Sequence, residues 1–204
     1  HTLTVPKGGK PLLGYVRYAA VKNLNIYGTK IDGYGLVDDY CVDYGPTGSY
    51  GDWTAGAAYP DMPMTITIDN VTLKSGTRTL QSGFIGGYAS GANTVSITNS
   101  TIEDGVTIGY DKTQSNIGSF AGSFNGTVEN CVSSAKVQGV NSVGGLVGAK
   151  GQSMGNCSIW DSAFHGTVEA SGSYAGGLIG SGYNANSAPN TPCVTIQNCY
   201  SDGS

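Results

Sequence analysis

Apolar and polar residues alternate along short runs of this chain, as in Thr65-Ile66-Thr67-Ile68 and Val194-Thr195-Ile196, and each run stops near a polar or glycine-rich turn. Period-two alternation over a few residues predicts strands with one buried face. The runs recur. VKNLNI, ITIDNV, SITNST, TVENCV, MGNCSI and TIQNCY each end near an asparagine: Asn23, Asn70, Asn99, Asn130, Asn156 and Asn198, separated by 47, 29, 31, 26 and 42 residues. A second element lies between them, an apolar run flanked by glycine. Its copies are Gly83-Phe84-Ile85-Gly86, Gly118-Ser119-Phe120-Ala121-Gly122, Gly144-Gly145-Leu146-Val147-Gly148 and Gly176-Gly177-Leu178-Ile179-Gly180, with Pro11-Leu12-Leu13-Gly14 and Gly35-Leu36-Val37 as weaker ones.

Each unit therefore reads as strand, turn, short apolar strand, turn, and a single unit cannot bury its apolar face. Stacking successive units in parallel buries a continuous column and satisfies the backbone between coils, which is the logic of a β-solenoid. Equivalent asparagines in successive coils then form an amide ladder inside a turn. Cys131, Cys157 and Cys199 each follow one of these asparagines directly and are expected to stack as unpaired packing thiols. On that reading Cys131→Ser destabilises by about 1–3 kcal/mol, because a buried hydroxyl needs a partner.

Composition narrows the function classes. The 204 residues carry 10 Lys+Arg against 14 Asp+Glu, a net charge of −4, and no excess of cations that would make nucleic acid the main partner. Glycine supplies 33 positions, which excludes a helix bundle. Five cysteines in this length do not make a disulfide framework. No run approaches the roughly 18 apolar residues of a membrane span, and the first residues lack a signal-peptide pattern. The sequence opens in a strand-like run, His1-Thr2-Leu3-Thr4-Val5, and stops just after an Asn-Cys strand, without a polar cap at either end. Residues 1–204 are thus read as one segment of a longer protein, with flanking coils of the parent chain as its neighbours.

The Gly-Gly-Leu-Val-Gly and Gly-Gly-Leu-Ile-Gly runs, each followed by an Asn-Cys strand, resemble the GLUG repeat of large bacterial cell-surface proteins. The resemblance implies an all-β fold, a right-handed parallel β-helix, on a secreted or cell-wall-attached protein of the kind found on gut bacteria. It implies an extracellular setting and no particular activity, since function on such a scaffold lives on inserted loops.

The repeat is broken in the first quarter. Where a glycine should close the apolar run, Val37 is followed by Asp38-Asp39-Tyr40-Cys41, and a long insertion spans 32–69. That stretch holds seven carboxylates, with Tyr34, Tyr40, Tyr44, Tyr50, Tyr59 and Trp53 among them. Aromatic faces pack on the C–H faces of sugars while carboxylates accept from their hydroxyls. Asp38, Asp39, Tyr40, Asp43, Tyr44, Tyr50 and Trp53 are accordingly the candidate ligand-binding residues, and a glycan or host surface glycoprotein the expected partner of an adhesion module. The alternative for the insertion is a mini-core of buried rings with solvated carboxylates. Calcium is a further candidate ligand at Asp38, Asp39 and Asp43, although no Asp-x-Asp-x-Asp-Gly pattern is present.

A second break lies at 103–112, where the unit is longer than its equivalent from Gln138 to Ser142. Asp104 and Asp111 are seven residues apart, as are Asp32 and Asp39. A carboxylate pair across a solenoid turn meets the separation that glycoside hydrolysis needs. These four aspartates are the candidates if the chain is a hydrolase resembling the β-helix lacto-N-biosidases; surface turn carboxylates, or a stalk without ligand, are the other readings. His1 and His165 are too few for a usual zinc site, and no metal site is assigned. Asn70, Asn99 and Asn125 head glycosylation tripeptides, but the first two are expected to be buried in the ladder.

Overall fold

The computed structural model describes residues 1–16, 19–40, 65–86, 94–151, 156–182 and 193–204. Among them there is no helix, and every pairing between strands is parallel. The largest sheet stacks the alternating runs: Ala19–Tyr27 beside Thr65–Leu73, then Thr94–Thr98, Gly126–Glu129, Cys157–Trp160 and Val194–Gln197. Their inward positions form one column, Val21, Ile68, Ile97, Val128, Ile159 and Ile196. A second sheet stacks Arg78–Thr79, Thr107–Ile108, Lys136–Gly139 and Thr167–Ala170. The glycine-flanked runs make a third column through Leu13, Val37, Ile85, Ala121, Val147 and Ile179. Chain segments one unit apart are therefore hydrogen-bonded neighbours. This curled, parallel all-β arrangement is compatible with the expected solenoid.

The core is what the alternation predicts. Ile68, Ile97, Ile102, Val128 and Ile159 are fully buried, and Phe84 and Phe120 meet edge to face in adjacent coils at 5.3 Å between centroids. Asn23, Asn70, Asn99, Asn130 and Asn198 all have positive φ, between 50° and 56°. Asparagine tolerates that left-handed bend better than other side chains, and the bend divides each run of the large sheet in two.

Two expectations need correcting. Register pairs Glu129 with Trp160 and Trp160 with Gln197, so the coil partner of Asn130 and Asn198 is Asp161, itself at φ 46°, and not Asn156. Cys157 consequently lies opposite Gly126 and Val194, outside the column of Cys131 and Cys199. The ladder is also on the outside of its bend rather than buried within it. Asn70 donates to Asn23 Oδ1 at 2.7 Å, Asn130 to Asn99 Oδ1 at 2.7 Å and Asn198 to Asp161 Oδ1 at 3.0 Å, while Asn99 donates to Asp69 Oδ1 at 2.8 Å. All these asparagines are exposed, including the glycosylation-pattern Asn70 and Asn99; the buried member of that set is Asn125.

The position after the ladder residue has its own chemistry. It is occupied in successive coils by Val71, Ser100, Cys131, Ser162 and Cys199. The bend turns the backbone away from regular pairing, and the side chain supplies the acceptor. Ser100 Oγ accepts from the Val71 N–H at 3.1 Å and donates to the Thr98 carbonyl at 2.7 Å; Ser162 Oγ accepts from the Cys131 N–H at 3.1 Å and donates to the Trp160 carbonyl at 2.6 Å. The Cys131 thiol donates to the Glu129 carbonyl at 3.2 Å, and burial pushes its pKa up to about 12. The four described cysteines are free thiols.

This geometry reverses the expectation for Cys131→Ser. Serine already stands in the same column one coil to either side with its hydrogen bonds made, so the change should stay within about 1 kcal/mol. Ser162→Ala should instead cost about 1–3 kcal/mol, because it leaves the buried Cys131 N–H without an acceptor. Urea denaturation of the two variants checks the order, and a larger loss in Cys131→Ser would contradict it.

Candidate functional site

The outer side of the second sheet gathers the side chains that sequence reasoning did not assign. Lys30, Arg78, Thr107, Lys136 and Thr167 precede the inward residues Ile31, Thr79, Ile108, Val137 and Val168 and so lie side by side on successive coils. The turn after Ile108 then departs from the coil path. Gly109 has φ 71°, and an added Cβ there would meet the Gln138 carbonyl oxygen, so glycine is required. Asp111 fastens the next step, accepting from the Thr113 N–H at 3.0 Å and hydroxyl at 2.7 Å.

The turn throws Tyr110 back across two coils. Its hydroxyl donates to Asp32 Oδ1 at 2.8 Å, and its half-buried ring has the Arg78 guanidinium 5.3 Å and the Lys30 ammonium 5.6 Å from the centroid. Lys30 also pairs with Asp32 at 3.4 Å, and Lys10 donates to the Asp32 carbonyl oxygen at 3.2 Å. The Tyr110 hydrogen bond, aided by Lys30, holds the Asp32 carboxyl below the usual carboxylate range. Burial, followed by the Asp32 contact, pushes the Tyr110 hydroxyl up, and the charge of Asp32 does the same for Lys30. The same turn sends Lys112 forward to Glu169 at 3.0 Å, which also pairs with Lys136 at 2.6 Å. Those two lysines, Lys136 first, hold Glu169 low.

Of the candidate carboxylates, Asp32 is therefore an acceptor in a mixed aromatic and cationic cluster. Asp111 serves its own turn, and Asp104 accepts from the adjacent Gly105 N–H at 2.8 Å. No hydrogen bond joins any described candidate carboxylate to another. Asp39 lies on the strand Val37–Tyr40, in register with Tyr15, together with Asp38 and Tyr40; nothing is described of these three side chains. Asp38 takes the coil position held elsewhere by Gly14 and Gly86. Asp43, Tyr44, Tyr50 and Trp53 lie outside the described residues, as does most of the insertion. No group of three or more potential metal ligands occurs among the described residues. His165 Nδ1 is 2.7 Å from Asp202 Oδ1 on the exposed surface, a pair formed across coils.

Sequence reasoning missed Tyr110, Arg78, Lys30 and Lys10. The one available signal was the extra length of the unit at 103–112, which proves to be the turn carrying Tyr110 and Lys112. By fold, the described residues form an all-β structure of parallel strands in a curled arrangement, with the Tyr110 cluster on the outer side of the second sheet. No protein-family model, curated protein or solved structure matches it.

Proposed function

We propose that this chain is a right-handed parallel β-helix module, related to the GLUG-repeat surface proteins, that binds glycans in adhesion from a secreted or wall-attached bacterial protein. The parallel stacking of glycine-flanked runs supports the scaffold, and the repeat resemblance supports the setting. The observation that carries the binding reading is the half-buried Tyr110, with the Lys30 and Arg78 cations against its ring and its hydroxyl on Asp32. A fixed aromatic ring, an ionised acceptor and cationic donors lie there within reach of one sugar. Asp38, Asp39, Tyr40, Asp43, Tyr44, Tyr50 and Trp53 of the insertion-bearing stretch remain the further ligand-binding candidates of this proposal, on the strength of their aromatic and acidic composition.

A glycan array probed with the parent, Tyr110→Ala and Trp53→Ala, followed by a hydrolysis assay on the hits, tests the reading. The parent should bind a defined subset of glycans and leave them intact. Tyr110→Ala should weaken binding about tenfold, and Trp53→Ala should abolish it with little change in melting temperature. Absence of glycan binding by the parent would contradict the proposal. Turnover of a hit would replace it with a glycoside hydrolase, and loss of turnover in Asp104→Asn or Asp39→Asn with binding kept would then identify a catalytic carboxylate.

A further inference from the structure

The geometry points to an acidic polysaccharide, carboxylated or sulfated, as the ligand of the Tyr110 face, with the Arg78 guanidinium as its main anion partner; this rests on the glycan-binding reading above. Five of the ten Lys and Arg residues of a chain with net charge −4 collect on this face: Lys10, Lys30, Arg78, Lys112 and Lys136. Their countercharges are fewer. Asp32 serves Lys30, and Glu169 is shared by Lys112 and Lys136. The Arg78 backbone is tied into the sheet by hydrogen bonds to Gly28 and Ile31, but its exposed guanidinium makes no hydrogen bond or ion pair among the described residues and rests against the Tyr110 ring.

A guanidinium laid on an aromatic face, with its donors free, has the planar fork that binds a carboxylate or sulfate through two hydrogen bonds. The ring beside it offers the apolar surface on which a sugar ring packs. Neutral sugars have no use for the unpaired charge. Parallel coils are spaced by about 4.8 Å, which puts Lys30 about 5 Å to one side of Arg78 and Lys136 about 10 Å to the other. That line of cations along the stacking direction fits an extended polymer with repeated anionic groups. Nucleic acid fits less well, because Asp32, Asp111 and Glu169 interleave with the cations, and a duplex with one phosphate per about 1.7 Å of axis sets more anions against them than a polymer with about one anionic group per sugar.

The test is affinity of the full 204-residue chain for heparin, polygalacturonate, neutral dextran and a DNA duplex at 50 and 200 mM NaCl, with Arg78→Lys and Arg78→Ala beside the parent. Heparin or polygalacturonate should bind, the better of the two showing whether sulfate or carboxylate is preferred. Binding should weaken at least fivefold at the higher salt. Arg78→Lys, which keeps the charge but loses the fork, should weaken it about tenfold, and Arg78→Ala further, with unchanged circular-dichroism melts because the side chain is exposed. Salt-insensitive binding of neutral glycans with no acidic preference would overturn this inference and leave glycan binding standing. DNA bound as tightly as heparin would overturn it as mere polyanion attraction, and failure of every polysaccharide and array glycan would overturn both readings.

Discussion

Gly148→Ala is expected to cost about 3 kcal/mol or more of folding stability. Gly148 closes the run that begins at Gly144, and Gly86, Gly122 and Gly180 hold the same place in neighbouring coils. A Cβ at Gly148 would run into the backbone of Asn116 and Ile117, which has no side-chain freedom with which to yield. Its φ is not in the left-handed region, so the cost is packing rather than strain. Gly14 provides the control, since a Cβ there meets nothing within 4 Å. Gly14→Ala should shift stability by no more than about 0.5 kcal/mol. Equal melting temperatures for the two variants would mean that the coils do not approach as described.

Phe120→Ala should cost about 3–5 kcal/mol, and Phe120→Leu no more than about 1.5 kcal/mol. Phe120 is fully buried, and its N–H donates to the Leu146 carbonyl at 2.9 Å while its carbonyl accepts from Phe84 at 3.0 Å. The equivalent position in the flanking coils is Leu36, Phe84, Leu146 and Leu178. Leucine is therefore already accommodated along the column, whereas alanine leaves a cavity beneath the Phe84 ring. Guanidinium denaturation of both variants measures the gap between them, and near-equal losses would place Phe120 away from the core axis.

The scaffold was legible in the sequence because each of its rules acts on a residue locally. Alternation marks the buried face of each run, glycine marks the tight approach of neighbouring coils, and asparagine marks the left-handed bend. The misplaced repeat at Asn156 shows where string similarity misleads. Asn-Cys recurs there by identity, yet the physical requirement at the bend is tolerance of positive φ and a ladder acceptor, which Asp161 satisfies. Spacing agrees, since Asn99 to Asn130 and Asn130 to Asp161 are both 31 residues.

The site was much less legible. Tyr110 meets Asp32 across 78 residues, and that contact depends on the register of three coils with the insertion between them. The aromatic and acidic composition of 32–69 drew attention to one part of this region. Arg78 and Lys30 stood out in no local pattern, because their proximity arises only from stacking.

That stacking register is tested most directly by amide and side-chain contacts of Val128 in a nuclear Overhauser experiment on the labelled chain. Contacts from Val128 to both Ile97 and Ile159 are the expected result, since these are its partners in the adjoining strands. Contacts from Val128 to Met154, which pairing of Asn130 with Asn156 would bring about, would contradict the register and with it the face built around Tyr110.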